Sequence, residues 1–204
     1  MKDIFVTGIG TDIGKTVVAA ILTEALQADY WKPVQSGSID LTDSQRVKSL
    51  VSNKKTVFHP EAYLLEAPLS PHAAAALEGK NIILENIGLP QTANRLVVEG
   101  AGGLFVPLND RHLIVDLIGY LQLPVVVVSA NYLGSINHTL LTLEALRSRG
   151  IPVAGLIFNG PPNPASEDYI LQYSGVPKLL SVLPEETLNP AVIRKYAEML
   201  SAIR

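Results

Sequence analysis

Lys15 and Thr16 close a glycine-rich stretch, Thr7-Gly8-Ile9-Gly10-Thr11-Asp12-Ile13-Gly14-Lys15-Thr16. Glycines let backbone N–H groups turn toward a single anion, a lysine adds a mobile positive charge, and a threonine hydroxyl can sit on Mg²⁺. These types together suit a triphosphate, whose oxygens concentrate negative charge. The spacing departs from the usual loop, because five residues rather than four separate Gly8 from Gly14. Either the loop is one residue longer, or Gly8 is only a strand-end turn. The bland alternative is an ordinary glycine-rich connection, and the motif points to a nucleotide rather than to a reaction.

Further chemistry lies downstream. Lys32 opens the polar run Lys32-Pro33-Val34-Gln35-Ser36-Gly37-Ser38 and is a candidate second cation, or else a surface lysine. Asp43 begins a helix, where a carboxylate complements the dipole; the sharper reading is an Mg²⁺ ligand. Glu99 ends the apolar run Leu96-Val97-Val98 and is followed by Gly100, Gly102 and Gly103. An acid at the end of a buried strand is costly unless solvated or near a metal, and the glycines would let backbone approach a ligand. His72 is a ligand contact or a local cap. Gly134-Ser135 starts a helix whose free N–H groups suit an anion, or which Ser135 simply caps. Asn159 is suited to a purine edge or to a turn.

These residues need elements to hold them. Phe5-Val6, Val97-Val98, Val125 to Ser129 and Val153 to Phe158 are apolar without alternation, the pattern of buried parallel strands. Helical stretches separate them: 14–27, 42–51, 73–77, 82–87, 113–121, 134–149, 165–173 and one from Pro190. Short strands are expected at 29–31, 56–58 and 179–184. The segments 32–38 and 65–72 read as loops. Alternation of this kind gives a mostly parallel, doubly wound α/β sheet flanked by helices. The 204 residues suffice for one domain over 1–204.

Composition removes other classes. A net charge of −3, with scattered Lys and Arg, gives no case for nucleic acid. No window is apolar and long enough for a membrane span. The chain has no cysteine, so disulfides and thiolate metal sites are out. A cytoplasmic protein is the expectation.

Taken in order, several segments resemble the dethiobiotin synthetase family, within the P-loop NTPases. They are the long Thr-Gly to Gly-Lys-Thr loop, Lys32 to Gly37, Ser70-Pro71-His72, Val98 to Gly103, and Leu133-Gly134-Ser135-Ile136-Asn137-His138-Thr139. The family's loop is also one residue longer. The resemblance implies an ATP-dependent cyclo-ligase that joins 7,8-diaminopelargonate to CO₂ and releases ADP and phosphate. It implies Lys15 and Lys32 as catalytic cations. It puts Asp12, Ile13, Gly14, Lys15, Thr16, Val17, Glu99, Gly102 and Asn159 on the nucleotide, with Asn159 at adenine. Asp12 stands where the family often has Glu. Thr11, Lys32, Ser36, Gly134, Ser135 and Asn137 fall on the substrate, and Thr16, Asp43 and Glu99 on Mg²⁺. It further implies a homodimer with shared active sites.

Two rivals share parts of this pattern. Partner-regulated partitioning ATPases carry an extra lysine early in the loop, where this chain has Gly10. A small-molecule kinase would use an arginine-rich lid, but the arginines here are dispersed.

Overall fold

The computed structural model describes residues 3–200. Strand β1 (Ile4–Gly8) leads through the glycine-rich loop into α1 (Lys15–Leu26). There follow β2 (Asp29–Trp31), β3 (Val34–Ser36), α2 (Asp43–Leu50), β4 (Phe58–His59), β5 (Tyr63–Leu65) and α3 (Pro71–Leu77). The second half holds β6 (Leu96–Gly103), α4 (Ile114–Leu121), β7 (Val125–Ala130), α5 (Ser135–Ser148), β8 (Val153–Asn159), α6 (Pro164–Ser174), β9 (Lys178–Val182) and α7 (Pro190–Met199).

Seven strands form one sheet in the order β4-β2-β6-β1-β7-β8-β9, and every pairing is parallel. Two apolar clusters cover its faces. Val18, Ile21, Leu22, Ile193 and Tyr196 pack on Ile4 and Val6 on one side. Ile114, Leu117, Ile118 and Leu146 pack with Phe5, Val98 and Val127 on the other. Strands buried on both faces have no polar side, which is why they read as continuous apolar runs.

Chain order reverses around β1, which lies between β6 and β7. Beyond the carboxyl ends of strands at such a switch point, an open α/β sheet leaves a crevice. The register aligns three groups there. Val6 pairs with Glu99 and Trp31 pairs with Val98, so the residue after β2, Lys32, comes beside Glu99 and the loop after β1.

Several local expectations are corrected. Residues 34–36 are not loop but a strand, pairing in parallel with Tyr63–Leu65 as a separate two-stranded sheet. The expected helix over 82–87 is only a 3₁₀ turn at Leu84–Asn86. Ile82, Leu84 and Ile87 are all buried, and that uneven spacing is not the stripe of an α-helix. The expected strand at 56–58 begins at Phe58, because Thr56 and Val57 are tied instead to Ala28 O and the Asp29 side chain. The strand ending at Glu99 continues to Gly103. A Cβ on Gly100 would lie 2.8 Å from Phe5 Cε1, so that glycine serves strand packing rather than ligand approach.

Candidate active site

The glycine-rich loop folds back on itself. A Cβ on Gly8 would fall 2.3 Å from Ile13 Cδ1, so Gly8 ends β1 and also makes room for the loop's own closure. Asp12 has φ +56° and Gly14 φ +92°, two left-handed turns that carry the extra residue. Asn159, at the end of β8, donates from Nδ2 to Ile13 O at 3.0 Å and leaves no room for a side chain at Gly14.

A cleft of about 830 Å³ opens above this loop. Of the expected residues, it gathers Thr11, Asp12, Gly14, Lys15, Thr16, Val17, Lys32, Ser36, Asp43, Glu99 and Gly102. Gln35, Arg46, Leu69 and Val106 also line it, along with Pro68, Ser70 and Pro71, and none of these was singled out for this role. Six of these seven sit on segments read as loops or as the helix 42–51, where burial is not legible. Ile13 and Asn159 stand behind the loop rather than on the cleft wall. His72 is exposed and its Nδ1 lies 3.0 Å from Ser70 Oγ, a local contact at the start of α3.

Four side chains meet on the cleft floor, with the buried Tyr30 behind them. Thr16 Oγ1 lies 2.9 Å from Glu99 Oε1 and 3.1 Å from Asp43 Oδ1. Lys32 Nζ lies 2.6 Å from Asp43 Oδ2 and 3.1 Å from Glu99 Oε1. Tyr30 donates its hydroxyl to Glu99 Oε2 at 2.8 Å. This last contact escaped sequence reading, since 69 residues separate the partners; a search for what satisfies a buried Glu99 is the signal that could have found it. Asp43 is placed by a capping box between Thr42 and Gln45, and its N–H donates to Gln35 Oε1 at 3.2 Å. Asp43 thus stands both in the first turn of α2 and on the cleft.

The Thr16 hydroxyl has one proton but faces two carboxylate oxygens, which are acceptors only. One of those oxygen–oxygen contacts is left without a proton. A small hard cation with oxygen ligands fits that point. Among the described residues no group of three or more His, Cys, Asp or Glu could hold a metal alone. The donor set therefore suits an ion whose remaining ligands come from water and phosphate.

Charge is balanced unequally across the two lysines. Burial works to lower the Lys32 pKa, but Glu99 and Asp43 outweigh it and hold it above its ordinary value. Burial likewise works against the charge of Asp43, while Lys32 draws its pKa down on balance. Lys15 differs. Burial first, and then the charge of Lys32, lowers it from 10.5 to about 8, and its Nζ rests on Gly10 O at 2.7 Å.

This bears on pH. An anion on Lys15 favours the charged lysine, so the bound-state pKa lies above 8. Below pH 8 the proton is already present; above it, binding must take one up. Nucleotide affinity is expected to fall as pH rises from 7.5 to 9.5, approaching tenfold per unit. A Lys15→Met variant should lose that slope. A flat wild-type profile by calorimetry would contradict the assignment.

The start of α5 lies elsewhere. Gly134, Ser135 and Asn137 do not line the cleft of this chain. Gly134 and Asn137 are exposed, Ser135 is buried with its N–H on Tyr132 O, and Leu133 beside them is fully exposed.

A family profile described as an AAA domain matches residues 2–192. The chain is 52% identical to the ATP-dependent dethiobiotin synthetase BioD of Cytophaga hutchinsonii, over 98% of this chain and 97% of the relative. It is 51% identical to the protein of the same name from Christiangramia forsetii, over 97% and 95%. Among solved structures, a ParA family ATPase from Chlorobium tepidum superposes with a TM-score of 0.58 at 13% identity, covering 99% of this chain and 93% of that one. At that identity the likeness speaks for the fold alone.

Proposed function

The chain belongs to the ATP-dependent dethiobiotin synthetase family, and on that premise we propose how its residues divide the work. The enzyme is a cyclo-ligase with ATP as co-substrate. The observation that carries the residue assignment is that Lys15, Thr16, Lys32, Asp43 and Glu99 all line one cleft.

One amine of the diamine adds to CO₂ and gives up a proton, forming a carbamate. A carbamate oxygen then attacks the γ-phosphorus and ADP leaves. The second amine attacks the carbonyl carbon of the anhydride, the bond from carbon to the bridging oxygen breaks, and phosphate departs as the cyclic urea closes. Two anions must meet in the second step, and preorganised positive charge is what lowers that barrier. Lys15 holds the transferring phosphoryl group and Lys32 the carbamate side. The loop N–H groups from Asp12 to Val17 cradle the phosphates, with Gly102 along the opposite wall; Asn159, behind the loop with Nδ2 on Ile13 O, keeps its Oδ1 for the base, which would lie on that side of the loop. Thr11 and Ser36 hold the carbamate and diamine by neutral hydrogen bonds. Thr16, Asp43 and Glu99 would hold Mg²⁺, which when bound offsets charge on the β- and γ-phosphates. Leu69, Pro68, Pro71 and Val106 give an apolar wall for the substrate's hydrocarbon chain.

The carboxylate end of the substrate suits the start of α5, whose residues stand outside this chain's own cleft. A homodimer supplies it, with Gly134, Ser135 and Asn137 of one protomer facing the cleft of its partner. The exposed Leu133 and Tyr132 beside that helix start suit an interface. A cytoplasmic location completes the reading; among the described residues no helix is long and apolar enough to cross a membrane.

One experiment tests the assignment. Phosphate release from MgATP should require both diamine and bicarbonate. Lys15→Ala and Asn137→Ala chains, each weak alone, should recover turnover when unfolded together and refolded as hybrids. Release indifferent to the diamine, or hybrids no better than their parents, would contradict it.

A further inference from the structure

Lys32 and a cation beside Thr16 would compete for the same two carboxylates, and at Glu99 for the same oxygen, Oε1. The Lys32 ammonium touches both Asp43 Oδ2 and Glu99 Oε1, and the same two carboxylates face the Thr16 hydroxyl. Lys32 is 4% exposed and Glu99 is 1% exposed, so water does little to screen them. Lys15 meanwhile is turned onto the loop carbonyl of Gly10.

We propose that Lys32 is a built-in stand-in for the divalent cation: it occupies Asp43 and Glu99 until a nucleotide arrives, excludes the bare metal, and is released into the cleft when the metal–nucleotide complex displaces it. The inference rests on the reading of Thr16, Asp43 and Glu99 as the metal ligands given above.

Charge makes the exclusion selective. Lys15, Lys32, Asp43 and Glu99 together sum to zero. A bare divalent ion would leave two positive charges in a buried site, next to an ammonium, which is strongly unfavourable. The same ion brought by a triphosphate arrives with more negative charge than it adds. Its entry takes the carboxylate oxygens from Lys32, and the freed ammonium gains the phosphoryl oxygens or the carbamate. The residue that keeps the site ordered when empty thus becomes the catalytic cation only when the co-substrate is in place. Metal binding and delivery of Lys32 are one event, and ATP without a metal should leave Lys32 where it is.

Mn²⁺ titration read by electron paramagnetic resonance tests this without turnover. Full-length wild type with no nucleotide should bind Mn²⁺ at least tenfold more weakly than wild type with a non-hydrolysable ATP analogue. Lys32→Met, which keeps the stem and removes the charge, should bind Mn²⁺ without nucleotide at least tenfold more tightly than wild type. Lys32→Arg should exclude it as wild type does. A Lys32→Met protein with a wild-type circular dichroism spectrum and no tighter binding overturns the proposal. If that variant does not fold, wild type still decides, because nucleotide-free wild type binding Mn²⁺ as tightly as the complex overturns it too. Failure of the ligand reading looks different: Asp43→Asn and Glu99→Gln would then leave Mn²⁺ binding in the nucleotide complex unchanged.

Discussion

Lys15→Ala is expected to lower kcat/KM by about 10²–10³-fold, the loss seen when one preorganised group on a developing charge is removed. That corresponds to about 3–4 kcal/mol of transition-state stabilisation. The fold should not suffer. Lys15 is buried, its pKa is held down to about 8, and among the described residues its Nζ has only the Gly10 carbonyl as a hydrogen-bond partner. A group whose folded pKa lies below its unfolded one disfavours the fold while it stays charged, so at neutral pH its removal relieves a cost. The melting temperature of Lys15→Ala should be equal to that of wild type or higher. Activity within threefold of wild type would remove Lys15 from the phosphates. A large fall in melting temperature with activity lost would mean that the lysine is structural.

Glu99→Gln should act on the metal instead. Gln keeps the shape, and its one carbonyl oxygen can accept from Lys32 while its amide N–H turns to the Tyr30 hydroxyl oxygen, but it carries no charge, and Asp43 alone is left to offset Lys32. The Mg²⁺ concentration for half-maximal turnover is expected to rise by about 10–100-fold, the range typical when carboxylate support of a metal is weakened. Saturating Mg²⁺ should restore part of the rate. An unchanged Mg²⁺ titration would make Glu99 a structural residue of β6, held by Tyr30, Lys32 and Thr16.

The long strands and the phosphate-binding loop were legible because their cause is local. A strand buried on both faces has to be apolar throughout, and a loop around an anion has to contain glycine. The small sheet of β3 and β5 was not legible. Val34-Gln35-Ser36 is short, polar, and bounded by Pro33 and Gly37, and only its partner 29 residues on makes it a strand. The 82–87 segment misled for the opposite reason: its apolar residues are buried, but on an irregular path rather than along a helix.

The site divides the same way. Gly14, Lys15 and Thr16 announce themselves by spacing. Lys32 and Asp43 do not, since a lysine after a strand and an acid at a helix start each have an ordinary explanation. What joins them is the register of β1, β2 and β6, which no single segment contains. Glycines were legible as glycines but not as to purpose. Gly14 is required by the Asn159 side chain and Gly100 by the Phe5 ring, both reached only through tertiary packing.

The most direct test of the central claim follows an oxygen. In the reaction assigned to this cleft, the oxygen that bridges carbon and phosphorus begins in CO₂ and leaves with phosphate. Turnover with ¹⁸O-labelled bicarbonate and the diamine should give phosphate carrying one labelled oxygen, and a cyclic urea carrying the other. Without the diamine, no labelled phosphate should form. Labelled urea formed beside unlabelled phosphate would contradict attack of a carbamate on ATP, and with it the pairing of Lys15 and Lys32 across two reacting anions.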